Sequence, residues 1–439
     1  MTGSPGVPGI AIVDWSHLLE DFLDNIGVTF EAFRTEMTGG WMFGYVEALR
    51  SAGCRPVLFC VSARVAEVNR FEHAPTGATI CVLPAPESYR RARLRVPNPY
   101  AASLLEAAGE LRGPRRLRAA FLKELSPYLA TPLRSLFREL RRSRCEVILC
   151  QDYEHARFDA CVLGGRLAGF RVYGTFQGGN WQLSRFERPL RPLALRACSG
   201  LVVGSSVEAD RLRRRYGVPV RRIARIFNPI DLRRWPPADR EAARHSLGIP
   251  RAAGVVAWHG RVDLHRKGLD VLVAAWRAIR RARPGRDLRL LLVGTGRDAP
   301  ALRALLDSDL ESVHWVDEYV NDREVLRRHL AAADVYAFPS RNEGFPVAPV
   351  EAMACGLPVV AADAPGVVDI LGIDEAVGTV VPAGDAEAFT QALGSLLDDG
   401  CLRAELGARG RKRAEERFSH ESVGRELRAF LTGEGTGTR

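Results

Sequence analysis

Two glutamates separated by seven residues, Glu343 and Glu351, lie in the segment RNEGFPVAPVEAMACGLPVV (341–360). A strand-like run ends at Pro339, a loop carries Glu343, and a short helix is expected to begin near Pro349, since proline suits a helix's first turn and Gly356 suits its end. Free N–H groups at such a helix start, around Phe345 to Ala348, combine with the positive end of the helix dipole to make a seat for a phosphate group. Gly344, Phe345, Pro346 and Val347 are therefore candidate binding residues. Two carboxylates beside an anion seat are poor phosphate ligands, but they accept hydrogen bonds from hydroxyl groups. A hexose on one side of a diphosphate and a ribose on the other would use both. Glu343 is assigned to the sugar and Glu351 to the ribose.

The segment WHGRVDLHRKGLD (258–270) supplies the opposite charge. Arg261 follows a strand end and Lys267 opens the next helix, so two cations reach over one loop. Fixed cations in a water-poor site stabilise charge growing on a departing diphosphate by several kcal/mol, to order of magnitude. No metal is then required, and His259, Asp263 and His265 are read as parts of this loop rather than as metal ligands. Nearer the N-terminus, Gly39 and Gly40 stand just before a helical pattern, where glycine permits close backbone approach to a ligand. The run Asp152-Tyr153-Glu154 imitates an acidic metal triplet but has no partner cluster, which favours a structural or acceptor-side role.

Short β-branched runs alternating with helical stretches must position these residues. They occur at 10–15, 55–61, 78–84, 146–151, 171–176 and 201–206, and the rhythm restarts at 255–260, 288–294, 313–317, 334–340, 358–363 and 378–384. This is α/β patterning with parallel sheets, and the restart near residue 240 predicts two doubly wound domains. In KGLDVLVAAWRAIRRA, Leu269, Leu272, Val273, Trp276 and Ile279 fall on one helical face and read as core. In open parallel sheets ligands bind beyond the carboxyl ends of the strands. Gly39 and Gly40, the 259–267 loop, Gly294 to Gly296 and Glu343 all fall there.

The chain has 439 residues, 46% of them hydrophobic, and carries a formal charge of +10 from 62 Lys plus Arg against 52 Asp plus Glu, so an acidic partner is plausible and disorder is excluded. Nine cysteines lie mostly in apolar strings with no C-x-x-C pair, which fits reduced, cytoplasmic thiols rather than a zinc site or disulfide framework. No apolar run approaches the roughly 20 residues that span a bilayer. Residues 90–145 are dense in arginine, and Leu133, Leu136, Phe137 and Leu140 recur among them at helical spacing. That pattern suits a basic amphipathic helix in peripheral contact with the inner membrane face. No recognition motif for nucleic acid accompanies the charge, and none is expected to bind.

The E-x7-E string, with its flanking PS, G-x-P and EAMA-x-G-x-PVV elements, resembles the signature of retaining GT-B glycosyltransferases of the family-4 type. TFQGG (175–179), VVGSSVEADRLRRRYGV (202–218), FNPID (227–231), LLVGTG (291–296) and ADVYAFPS (333–340) match in the family's order. The resemblance implies a GT-B architecture of two Rossmann-like domains facing across a cleft: 1–235 for the acceptor, 236–415 for the nucleotide sugar, and 416–439 a final helix crossing back, with a tail. It implies metal-independent transfer of a hexose-type sugar from a UDP- or GDP-linked donor to a hydroxyl of a small molecule, glycan or lipid-linked glycan, with retention. Catalysis would rest on Glu343, Arg261, Lys267 and Gln177. Two positions depart from the pattern: Gln177 stands where many relatives carry histidine, and Asp369 where glutamate is common. The alternatives are a GT-B epimerase or phosphorylase and, from another class, a basic nucleic-acid- or membrane-binding protein.

Overall fold

Residues with both faces buried in a parallel sheet read as continuous apolar runs, and the central strands of this chain obey that rule. A computed structural model describes residues 7–14, 16–38, 40–101, 103–178, 184–236, 239–320, 322–343, 345–372 and 377–434. The chain divides into one unit of Met1–Pro229 with Val423–Arg439 and a second of Ile230–Ser422.

The first unit holds an eight-stranded sheet of β1 (Gly9–Val13), β2 (Arg55–Ser62), β3 (Asn69–Glu72), β4 (Thr79–Pro84), β5 (Val147–Cys150), β6 (Arg171–Thr175), β7 (Gly200–Val203) and β8 (Ile223–Arg225), in the order β3-β4-β2-β1-β5-β6-β7-β8. Only β3 runs antiparallel to its neighbour. Along β1 the side chains alternate between two cores: Ile10 and Ile12 join one, Ala11 and Val13 the other. The two strands with no counterpart in the sequence pattern, β3 and β8, are short edge strands with partly exposed residues.

The helix Leu133–Arg142 corrects one reading. Its apolar stripe was expected to face a membrane, yet Leu136 and Leu140 are buried, and Phe137 stacks on Phe170 with ring centroids 5.7 Å apart. Gly164 leaves room for Phe137 and Leu133, since a Cβ there would come within 3.0 Å of the phenyl ring. This stripe belongs to the core.

The second unit has six parallel strands: β9 (Gly254–His259), β10 (Leu288–Val293), β11 (Val313–Val316), β12 (Val335–Phe338), β13 (Val359–Ala362) and β14 (Gly378–Val381). Their order, β11-β10-β9-β12-β13-β14, reverses direction between β9 and β12. At such a switch point the chain leaves adjacent strands toward opposite faces and opens a crevice at their carboxyl ends. The helix Leu269–Ala282 buries Leu269, Leu272, Val273, Trp276 and Ile279, as its stripe predicts. Among the described residues no helix is long and apolar enough to cross a membrane.

Candidate functional site

The segments beyond β9 and β12 carry the charged residues that the sequence singles out, and topology brings them to one crevice. Gly268 permits a close approach of the two segments: it adopts φ +64°, and a Cβ there would lie 2.0 Å from the Pro339 carbonyl oxygen. Only glycine combines that conformation with that proximity. The approach is fastened by side chains. Arg341 donates two hydrogen bonds to the Asp270 carboxylate, at 2.7 and 2.8 Å, and another to the His265 carbonyl at 2.7 Å. Burial opposes charge on Asp270, but the hydrogen bonds and charge of Arg341 hold its carboxyl below the ordinary range.

Within this frame the Lys267 ammonium donates to Glu343 Oε1 at 2.6 Å, and the Glu343 side chain is only 8% exposed. An ammonium has three donors, so two remain for a phosphate after this pairing. Glu351 accepts a hydrogen bond from His259 Nε2 at 2.9 Å. His259 ends β9 and is buried, with Nδ1 unpartnered among the described residues. Burial pushes the Tyr336 phenol well above its ordinary pKa against the hydrogen bond it donates to the His259 carbonyl, and the charges of Glu351 and Glu343 add to the rise. Arg261 is exposed, with no ion pair among the described residues.

The helix after Glu343 spans Val347–Ala354, two residues earlier than expected, with Pro346 at its N-cap and Gly356 at φ +76° beyond its end. Pro346 has no N–H, so the free donors of the first turn are Val347 and Ala348, a correction to the wider span read from sequence. Glu351 lies mid-helix. Gly344 and Gly39 fall outside the described residues, and Gly40 begins the helix Gly40–Ser51 in the first unit.

Gln177 also belongs to the first unit, just after β6. Its amide donates to Thr175 Oγ1 at 3.1 Å and accepts from Asn228 Nδ2 at 2.9 Å, while Tyr45 donates to Asn228 Oδ1 at 2.8 Å. Tyr45 and Asn228 were invisible as partners, being 51 or more residues distant from Gln177 in sequence. So were His259 and the Arg341–Asp270 clamp, whose only hint was their position in the same two loops. In the Asp152-Tyr153-Glu154 run Tyr153 is buried and Glu154 pairs with Arg211 at 2.6 Å. In the second unit Asp263 caps the Arg266 N–H at 3.1 Å, while His259 is committed to Glu351.

Two parallel-sheet units, the second with paired carboxylates and cations at its switch point, define the GT-B class of glycosyltransferases. The chain belongs to the family-4 type within it: residues 42–234 match the family described as Glycosyltransferase Family 4, and residues 253–399 that described as Glycosyl transferases group 1. A GDP-mannose-dependent monoacylated alpha-(1-6)-phosphatidylinositol monomannoside mannosyltransferase from Corynebacterium glutamicum is 34% identical over 215 residues, covering 47% of this chain and 55% of that one. A D-inositol 3-phosphate glycosyltransferase from Saccharomonospora viridis is 37% identical over 228 residues, covering 50% and 52%. The chain thus spans about half the length of the curated relatives it matches. Among solved structures, Anabaena HepE in complex with UDP is similar in fold, with TM-score 0.67 at 16% identity, covering 97% of this chain and 100% of that one.

Proposed function

We propose that this protein transfers a hexose-type sugar, with retention of configuration and without a metal ion, from a UDP- or GDP-linked donor to an acceptor hydroxyl. The observation that carries the reading is the Lys267–Glu343 pair beside the His259–Glu351 pair at one switch point. The diphosphate sits on Arg261, Lys267 and the Val347 and Ala348 N–H groups. Glu343 accepts from sugar hydroxyls on one side and Glu351 from the ribose on the other. In the transfer step the bond from the anomeric carbon to the diphosphate oxygen breaks as the acceptor oxygen bonds to the same face. The acceptor proton passes to the departing phosphate oxygen. Cations fixed before the reaction stabilise the growing charge without reorganising.

The first unit is assigned the acceptor, and Gln177 keeps its assignment to catalysis. The relatives' names, a phosphatidylinositol mannoside in one and inositol 3-phosphate in the other, support a polyol acceptor, free or lipid-linked. Nine free thiols, most of them buried, suit a cytoplasmic setting.

Thermal-shift screening of nucleoside diphosphates identifies the base, and Glu343→Gln then tests the reading. Turnover is expected to fall on the order of a hundredfold or more while donor affinity changes less than about fivefold, since the amide keeps an acceptor but loses the charge. Near-normal transfer by this variant would sink the assignment.

A further inference from the structure

His259 closes β9 with the backbone around it held from both sides. The Gly260 N–H donates to the Val293 carbonyl of β10 at 3.0 Å, and the Tyr336 hydroxyl of β12 donates to the His259 carbonyl at 3.4 Å. The imidazole is buried and reaches the helix after β12, where Nε2 meets Glu351 Oε2 at 2.9 Å. An ionised carboxylate only accepts, so Nε2 carries the hydrogen. Nδ1 is then left buried with no partner among the described residues. For packing alone an apolar side chain would serve β9 better, because it leaves no ring nitrogen unsatisfied. What the imidazole adds is a donor fixed on a strand and aimed at one oxygen of Glu351.

The Glu351 side chain is 17% exposed, and its other oxygen, Oε1, has no hydrogen-bond partner among the described residues. With Oε2 tied to His259, the carboxylate is held in one orientation and Oε1 stays open as an acceptor. Without that tie the side chain samples several staggered wells and is ordered only when a ligand arrives, which weakens binding. The Lys267–Glu343 pair, on the side of the transferred sugar, shares no hydrogen bond with His259 or Glu351 among the described residues.

We propose that His259 is a positioning residue that sets the ribose selectivity of the donor site: by holding Glu351 Oε2 it presents Oε1 to the ribose hydroxyls of a nucleoside diphosphate. The proposal rests on the assignment of Glu351 to the ribose.

The test uses the full chain and whichever of UDP and GDP it binds, with the matching 2′,3′-dideoxynucleoside diphosphate, measured by calorimetry. The parent is expected to bind the dideoxy form about tenfold or more weakly, since a hydrogen bond from a hydroxyl to a charged acceptor is lost. His259→Leu is expected to weaken the ribonucleotide about tenfold and to leave the affinity for the dideoxy form within about twofold of the parent's. A defect in folding or packing would weaken both alike, so this split separates positioning from structure. His259→Gln, whose amide nitrogen reaches the place of Nε2, is expected to restore most of the preference. In turnover, His259→Leu should raise KM for the nucleotide sugar about tenfold and change kcat less than about threefold.

Glu351→Ala tells two failures apart. If it abolishes the ribose preference and His259→Leu does not, the role of His259 is overturned and the donor reading stands. If the parent shows no preference, or binds neither nucleotide, the ribose assignment falls and this proposal with it. Equal loss of affinity for both nucleotides in the leucine variant, or a glutamine variant no better than leucine, would also overturn it.

Discussion

Two sheets in this molecule reverse direction at their centre, between β1 and β5 and between β9 and β12, and the two crevices are finished in opposite ways. In the second unit nearly every charge meets a partner across the crevice: Lys267 with Glu343, Arg341 with Asp270, His259 with Glu351. In the first unit ion pairs such as Arg191 with Asp159 and Arg211 with Glu154 are also made, but several polar groups beside the crevice are buried on backbone or without a partner among the described residues. Arg157 gives its guanidinium to the carbonyls of Asp14 and His17. Gln151 is 1% exposed, with both ends of its amide unpartnered among the described residues. Asp152 takes φ +74°, and burial pushes its carboxyl up to about 7. One crevice is held by pairings that also serve as its chemistry, whereas the other carries polar groups at a cost to stability.

If that contrast is right, substitutions should hurt function in one crevice and change stability in the other. The largest effect is expected from Lys267→Ala, which removes a phosphate ligand and leaves buried Glu343 unpaired. Transfer should fall on the order of a thousandfold and donor affinity about tenfold, and steady-state kinetics with calorimetry separates the two. An affinity left unchanged would take Lys267 off the diphosphate. Gly268→Ala forces a Cβ to within 2.0 Å of a carbonyl oxygen at positive φ, and should destabilise the second unit by about 2–4 kcal/mol in urea unfolding.

Asp152→Asn probes the other crevice through pH. An acid whose folded pKa is raised keeps a proton that the unfolded chain releases, so its contribution to stability is intact below about pH 4 and declines as pH rises toward 7. Asparagine does not titrate, tolerates positive φ and still accepts the Glu154 N–H. The variant should therefore gain on the parent between pH 4 and 8 by about 1–4 kcal/mol. A gain that does not change with pH would show that the buried carboxyl carries no such cost. The smallest effect is expected from Gln151→Leu, which removes two unpartnered polar atoms and should be neutral or stabilising by up to about 2 kcal/mol. A clear loss of stability would mean that the amide is bonded after all.

What was legible in the sequence follows the same division. The second unit's strands, the Leu269–Ile279 stripe and the loop positions of Lys267, Glu343 and Glu351 could be read because short-range period and spacing encode them. His259 could not be, since its role depends on a partner 92 residues away. Nor could the fate of Leu136 and Leu140: an amphipathic period says that one face is covered, not whether protein or lipid covers it. The edge strands β3 and β8 escaped because half-exposed edges need no apolar run.

The last helix, His420–Thr432, sets an order on how the chain comes to be folded. Val423, Leu427 and Leu431 lie in the same core as Ile10 and Ile12, and Gly424 packs so closely that a Cβ would lie 2.0 Å from the Ala48 carbonyl oxygen. During synthesis from the N-terminus, the second unit is an unbroken stretch that can close as soon as it emerges. The first unit, begun earlier, must wait with part of its core open until the final helix arrives. That interval is when its apolar strands are exposed to aggregation.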